Sequence, residues 1–172
     1  ALFWPDAEIQ AKGGTLSGNG GFVEVSGYKY VEIYGLVDAS AVNGLAGTWL
    51  IDPTNVEIVA ATLNMDDSGG DPRTFSPTAA GTPATLDVAT LNGALNAGTV
   101  VIVDTISGLA EAGNITVTNA IAKTAGAGTT LTLNATNNII INNTISSTVG
   151  TLGVTLTAGA AVDINSAITT NG

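Results

Sequence analysis

The chain contains no cysteine and no histidine among its 172 residues. Their absence excludes disulfide bonds, thiolate nucleophiles and imidazole bases, and it removes the usual ligands of zinc. No apolar run reaches the 18 or more residues that a membrane-spanning helix needs, and the start of the chain does not resemble a signal peptide. We therefore expect no insertion into a membrane.

Basic residues are scarce as well. Four lysines and arginines stand against 14 acidic residues, which gives a net charge of −10. The four, Lys12, Lys29, Arg73 and Lys123, are too few and too scattered to hold a phosphate backbone. The sequence therefore predicts no nucleic-acid partner. Its apolar share of 45% is too high for a disordered chain, and its high glycine and low aromatic content are typical of soluble extracellular repeat proteins.

The last third of the chain repeats itself with a period of 23 to 24 residues. Residues 114–117 align with 138–141 and with 161–164, and residues 131–133 align with 154–156. These short segments alternate apolar and polar residues with period two and are rich in β-branched side chains, which indicates strands. Strands recurring at such a period are typical of a solenoid, in which each repeat is one coil stacked on the last.

We therefore predict an all-β fold, a parallel β-helix of about six coils in a single domain spanning residues 1–172. The first full coil covers residues 20–40, where Val23 and Val25, then Val31 and Ile33, flank glutamates. Residues 49–51 and 56–58 supply the same pattern for the second coil. We expect the domain to be a segment of a longer repeat array, or a subunit that meets a neighbour end to end, because the sequence stops at Asn171-Gly172 in the middle of a corner.

Three segments interrupt the repeat. Residues 60–83 form a predicted insertion that leaves one corner of the solenoid and returns to it. It has a polar loop at residues 66–72 and prolines that argue against a strand. Residues 87–97 predict a short helix beside the stack, because Val88, Leu91 and Leu95 are spaced three and four apart. Asp87 is its expected N-cap, and Gly98 follows its end. A six-residue insertion is placed at residues 107–112.

Few side chains suggest chemistry. Asp66, Asp67 and Asp71 lie within six residues beside two glycines, so they are a weak candidate for a Ca²⁺ site. The spacing is not that of an EF-hand and lacks a closing glutamate, which favours a solvated loop with no cofactor. Periodicity points the three glutamates of the early coils outward, as solubilising charges rather than catalytic groups; they are Glu24, Glu32 and Glu57. Asn142 and Asn165 occupy equivalent places and predict a stacked amide ladder.

Three local strings resemble a known family. They are residues 20–27 (GGFVEVSG), residues 37–44 with Val37-Asp38-Ala39-Ser40 and Asn43-Gly44, and, most specifically, residues 47–53 (GTWLIDP). Together they are similar to the filamentous-haemagglutinin class of two-partner secreted bacterial exoproteins, over most of the chain apart from residues 60–83. The resemblance implies a right-handed β-helical shaft, exported through an outer-membrane pore partner and displayed at the surface of a Gram-negative-type bacterium or released. Neither an Asn-Pro-Asn-Gly secretion motif nor Arg-Gly-Asp is present, so no particular receptor carries over.

These observations predict a non-enzymatic shaft segment of a secreted or cell-surface adhesin. Its partners would be neighbouring coils or subunits end to end, together with a host or matrix glycan or protein receptor. One alternative is a carbohydrate-active β-helix, a polysaccharide lyase or hydrolase with the acidic insertion in its cleft. Another is the subunit of a self-assembling extracellular filament.

Overall fold

The computed structural model describes residues 2–27, 31–60, 65–67, 75–77, 83–105 and 112–171, with 65–67 and 75–77 described by their backbone alone. It is a β-solenoid of about five turns, with one short helix among the described residues. The predicted fold class is confirmed, and the structure has about one turn fewer than expected.

The strands follow one another in short segments. They are Leu2–Phe3 (β1), Glu8–Gln10 (β2), Phe22–Gly27 (β3), Glu32–Ile33 (β4), Leu36–Asp38 (β5), Thr48–Pro53 (β6), Val56–Val59 (β7), Met65–Asp67 (β8), Phe75–Pro77 (β9), Ala84–Asp87 (β10), Val100–Asp104 (β11), Ile115–Val117 (β12), Ile121–Lys123 (β13), Thr129–Ala135 (β14), Ile139–Ile141 (β15), Ile145–Ser147 (β16), Leu152–Ala158 (β17), Val162–Ile164 (β18) and Ile168–Thr169 (β19). The helix α1 is Val88–Ala97, between β10 and β11.

Three walls enclose the core. The first wall is a sheet in the order β3-β6-β11-β14-β17, and the second is a sheet in the order β1-β4-β10-β7-β12-β15-β18. The third wall consists of the pair β2-β5 and the sheet β13-β16-β19, with α1 packed against both β5 and β13. Every strand pair within these walls is parallel.

Aliphatic side chains form continuous columns inside the walls. In the second wall Val117 pairs with Ile141, and Ile141 pairs with Ile164, as the repeat predicts. In the first wall Val101 pairs with Leu131 and Leu131 with Val154, which confirms the predicted alignment. Most members of these columns are fully buried, so burial of aliphatic surface is the main stabilising term of the fold.

The predicted helix forms with its expected caps. The Asp87 side chain accepts a hydrogen bond from the backbone N–H of Thr90, and Gly98 adopts the left-handed conformation at a φ of 91°. Its location differs from the prediction, because α1 is part of the third wall rather than an element beside the stack. Leu91 and Leu95 are fully buried in the core. The helix thus fills a place that a strand occupies in other coils.

Strand β10 was not predicted and alters the second wall. Ala84–Asp87 inserts between β4 and β7, so Leu86 lies in register between Ile33 and Ile58. The chain therefore leaves the stack after β7 and returns at the other side of that same strand. A return to the corner that it left, as expected for residues 60–83, is wrong.

The insertion contains a hairpin. Strands β8 and β9 pair antiparallel, with Asp66 opposite Ser76 and Met65 opposite Pro77. The expectation that Asp66 and Asp67 belong to a polar loop, and that Pro77 prevents a strand, is wrong. Pro77 ends β9, a position where a missing N–H disrupts no further pairing. The insertion predicted at residues 107–112 lies outside the described residues except for Ala112.

Candidate functional site

The calcium hypothesis concerns Asp66, Asp67 and Asp71. Asp71 and the side chains of Asp66 and Asp67 lie outside what the structure describes. Elsewhere in the described ranges, no group of three or more His, Cys, Asp or Glu side chains is arranged to hold a metal ion. The Ca²⁺ site stays a prediction.

The three glutamates have different surroundings. Glu24 is exposed on the first wall and Glu57 is half-buried on the second, in agreement with the periodicity. Glu32 is fully buried, so the expectation of a solvated charge is wrong there. Its neighbour in register is Thr85 of the unpredicted strand β10, which is buried as well. The burial of Glu32 follows from the pairing of β4 with β10.

A polar cluster surrounds the start of α1. The Thr90 hydroxyl donates to the backbone oxygen of Tyr34 at 2.7 Å and lies 3.3 Å from the Asp87 carboxylate. Burial raises the pKa of Tyr34, and the negative charges of Glu32 and Asp87 raise it further. A general base works best with a pKa near the working pH, and this shift moves the phenol away from it. The arrangement therefore fixes the helix N-terminus to β4 and is poorly suited to proton transfer.

Both lysines among the described residues are engaged. Lys12 forms a 3.0 Å ion pair with Asp38. The buried Lys123 ammonium donates to the backbone oxygens of Ala125, of Gly126 at 3.3 Å and of Val149 at 2.9 Å. Burial lowers the pKa of Lys123. Lys123 therefore joins the corners of two coils and offers no charge to an anionic ligand.

Asparagine side chains link the coils at one corner of the second wall. The Oδ1 of Asn55 accepts from the N–H of Asn114 at 2.6 Å, and the Oδ1 of Asn114 accepts from the N–H of Asn138 at 3.1 Å. This ladder was not predicted, although all three residues precede an aligned aliphatic position. The predicted ladder is also present, since Asn165 donates to Asn142 at 3.0 Å.

The last coil, residues 152–169, exposes part of its core. Val162 and Ile164 are 40% and 55% exposed, whereas their register partners Ile139 and Ile141 are fully buried. The strands β17, β18 and β19 are each the last in their sheet, so one edge of each has no strand partner among the described residues. A surface of this kind, with apolar side chains between open strand edges, is suited to receive another strand-forming coil.

Two corner loops of the first coils form a further apolar surface, the corner-loop patch, defined by Leu16, Val42 and Leu45. These side chains are 92%, 74% and 74% exposed. The loops are held together by hydrogen bonds from the Asn43 amide to the Thr15 oxygen at 2.8 Å and from the Leu45 N–H to the Asn19 side chain at 2.9 Å.

Glycine permits this close stacking of the corner loops. A Cβ on Gly20 would lie 1.9 Å from the backbone oxygen of Ala39. The patch is therefore a fixed surface rather than a pair of independent loops.

Within the described ranges, no helix is long and apolar enough to cross a membrane. Comparison with known proteins adds no assignment, because no protein-family model and no curated protein matches the chain.

Proposed function

We propose that this chain is a non-enzymatic structural segment of the shaft of a secreted or cell-surface bacterial adhesin. The observation that carries the proposal is the unbroken aliphatic column in each wall, which extends to an exposed surface on the last coil. Parallel ladders and a continuous core resist bending, because each coil contacts its neighbours over its whole perimeter. Such a rod holds a binding surface away from the cell that bears it.

The last coil supports a stacking role. Exposed Val162 and Ile164 occupy places that are fully buried one coil earlier, and a following coil of the same template would cover them. The amide ladder would continue as well, since Asn165 repeats the place of Asn142. Further coils are the proposed neighbour of this surface.

A chain extended after Gly172 by a second copy of residues 150–172 tests this stacking. We expect the free energy of unfolding to rise, because repeat proteins gain a stabilising interface with each added unit. In the extended chain Ile164→Ala should become as costly as Ile141→Ala. An added copy that stays unfolded and leaves the cost of Ile164→Ala unchanged would contradict the shaft role.

The corner-loop patch is the proposed contact surface for a receptor of the host or its matrix. Its aliphatic tips carry no charge, which suits an apolar protein surface. Beads coated with the chain should adhere to receptor-bearing cells, and serine at Leu16, Val42 and Leu45 should abolish the adhesion. Serine at Val149, which is exposed elsewhere, is the control.

Two measurements separate the proposal from its alternatives. Incubation with pectins and alginate should give no turnover. Release of shortened saccharides would contradict the shaft proposal and favour a carbohydrate-active enzyme. Sedimentation at several concentrations should show monomers. A sedimentation coefficient that grows with concentration would favour the filament subunit.

A further inference from the structure

A shallow cleft lies on the outer face of the second wall, where β7 and β12 begin. Its volume is about 320 Å³, at the lower end of the range found for small-molecule sites. We name it the Glu57 cleft, and the residues that line it are Asn55, Val56, Glu57, Pro83, Asn114 and Thr116.

The polar groups of the Glu57 cleft are held in place from outside it. Glu57 Oε1 accepts a 2.8 Å hydrogen bond from the Thr118 hydroxyl, which leaves Oε2 without a protein donor among the described residues. Glu57 also pairs in register with Thr116 on the neighbouring strand. The carboxylate and the Thr116 hydroxyl therefore lie side by side on adjacent strands, and little conformational freedom is lost when a ligand binds.

Asn114 supplies hydrogen-bond donors. Its Oδ1 already accepts from the Asn137 amide at 2.9 Å and from the N–H of Asn138 at 3.1 Å. The backbone N–H of Asn138 can only donate, so the orientation of the Asn114 amide is determined. Within the described part of the chain its NH₂ group has no acceptor, and it is the group that Asn114 can offer to a ligand.

The charges of the described residues around the cleft disfavour two ligand classes. Neither described lysine can neutralise an anion there, because Lys12 is paired with Asp38 and Lys123 is buried against backbone oxygens. A carboxylate without a cation repels phosphates, uronates and sialic acids. A metal ion is disfavoured too, since Glu57 belongs to no group of three acidic ligands in the described ranges and Asn114 offers donors instead of oxygens.

The cleft offers a hydrogen-bond acceptor on Glu57, a donor on Asn114 and the hydroxyl of Thr116 beside an apolar group. This combination matches a neutral polyhydroxylated ring. Sugar hydroxyls donate to a carboxylate and accept from an amide, and the C–H face of a pyranose packs on an apolar group such as the Pro83 ring. We propose that the Glu57 cleft binds one residue of a neutral saccharide. This inference rests on the proposed adhesion role, and it gives that role a ligand class and a second contact site.

Titration of the ¹⁵N-labelled chain with glucose, galactose, N-acetylglucosamine and lactose, followed by NMR, tests this proposal. At least one neutral sugar should shift the amide signals of residues 55–58 and 114–118 in a saturable manner. Glu57→Gln should weaken that binding about tenfold, because a hydrogen bond to a charged group is worth about 1.5–3 kcal/mol and each 1.4 kcal/mol is tenfold. Thr118→Val, which releases the carboxylate, should weaken it less.

Glu24→Gln is the matched control, because Glu24 is a strand glutamate on the first wall, outside the cleft. It should leave sugar affinity unchanged, and unchanged circular dichroism of all variants would show that the fold is intact. Saturation by galacturonate or Ca²⁺ at the same residues, equal losses in both glutamate variants, or no saturable shift with any neutral sugar would each overturn the proposal. None of these results affects the outcome of the coil-extension experiment. A failure of the saccharide-binding proposal can therefore be distinguished from a failure of the shaft proposal.

Discussion

The later and the earlier parts of the stack solve the same packing problem in different ways. In residues 112–171 each turn contributes one strand to each wall. In residues 48–104 a helix takes the place of a strand in the third wall, and β10 enters the second wall beside β7. The core nevertheless stays continuous, because Leu86 joins the aliphatic column and Leu91 and Leu95 are buried with it. Continuity of apolar contact matters more to this fold than identical secondary structure.

The helix also completes the hydrogen bonding of the strand above it. The N–H groups of Ala122 and Thr124 on one edge of β13 would meet carbonyl oxygens if a strand lay there. They donate instead to the Asn92 side chain at 2.9 Å and the Asn96 side chain at 2.8 Å. Asn92 and Asn96 are four residues apart, so they lie on one face of α1. Side-chain amides thus replace the missing backbone acceptors.

The largest predicted effect compares equivalent places in a covered and an open coil. Ile141→Ala should cost about 2–5 kcal/mol, because it leaves a cavity in a closed core. Ile164→Ala should cost less than about 1 kcal/mol, since that side chain is already 55% exposed. Urea unfolding measures both.

Thr132→Ala, on the outer face of the first wall, is the control and should fall within about 0.5 kcal/mol. Equal costs at Ile141 and Thr132 would show that the inner and outer faces are wrongly assigned. Equal costs at Ile141 and Ile164 would show that the last coil is covered in solution, for example by a second copy.

The second effect concerns the buried lysine. Lys123→Met keeps most of the apolar stem and removes the ammonium, which leaves the oxygens of Ala125, Gly126 and Val149 without that donor. We expect a loss of about 1–3 kcal/mol in the free energy of unfolding, the usual cost of unsatisfied buried groups. Lys12→Met breaks a surface ion pair and should change stability by less than about 1 kcal/mol. A neutral or stabilising Lys123→Met would mean that desolvation of the ammonium outweighs its three hydrogen bonds.

The features of the fold that can be predicted are those whose sequence signal lies within a short stretch of the chain. The columns through Val117 and Ile141 follow from the repeat, and the caps of α1 follow from Asp87 and Gly98, because both patterns lie within short stretches of sequence. The position of β10 does not follow from a local pattern. Its pairing with the strands of Glu32 and Glu57 depends on where a long insertion returns to the stack.

The sequence does contain a signal for the burial of Lys123. Alternation along β13 places it on the same face as Ile121, which points inward. The burial of Glu32 had no such signal, because it depends on the pairing of β4 with β10. The Glu57 cleft was not anticipated for a similar reason, since Asn55 and Asn114 meet only when β7 and β12 are neighbours.

A smaller effect tests whether side chains of α1 truly replace a strand. Asn96→Ala removes the acceptor for the N–H groups of Thr124 and Ala125. We expect a loss of about 1 kcal/mol, the net worth of a typical hydrogen bond. Alanine is the better helix former, so a loss cannot come from helix propensity. Hydrogen exchange should accelerate at Thr124 and Ala125.

Asn165→Ala removes an exposed ladder bond in the strand-built part and should cost less than about 0.5 kcal/mol. If the two variants lose the same stability, or if exchange at Thr124 is unaffected by Asn96→Ala, the amides of the helix have no special role.

The smallest effect comes from charge repulsion on the first wall. Asp52 precedes the end of β6, and Asp104 lies at the same level one strand away, because Val103 pairs with Ile51. Burial raises the pKa of Asp52 above its ordinary value of 3.8, and the charges of Asp104 and Glu24 raise it further. The folded state therefore holds this proton more tightly than the unfolded state does, and stability falls as pH rises from 3.8 through the folded pKa.

Asp52→Asn should consequently stabilise the protein at pH 7, by less than about 1 kcal/mol because the group is partly solvated. The gain should vanish below pH 3.8, where Asp52 is protonated in both states. It should also shrink in 1 M salt, where screening shortens the Debye length to about 3 Å. Asp163→Asn, on the exposed last coil, is the control and should have no measurable effect. A gain at Asp52 that is independent of pH and salt would assign it to packing, and the repulsion between neighbouring coils would then have to be discarded.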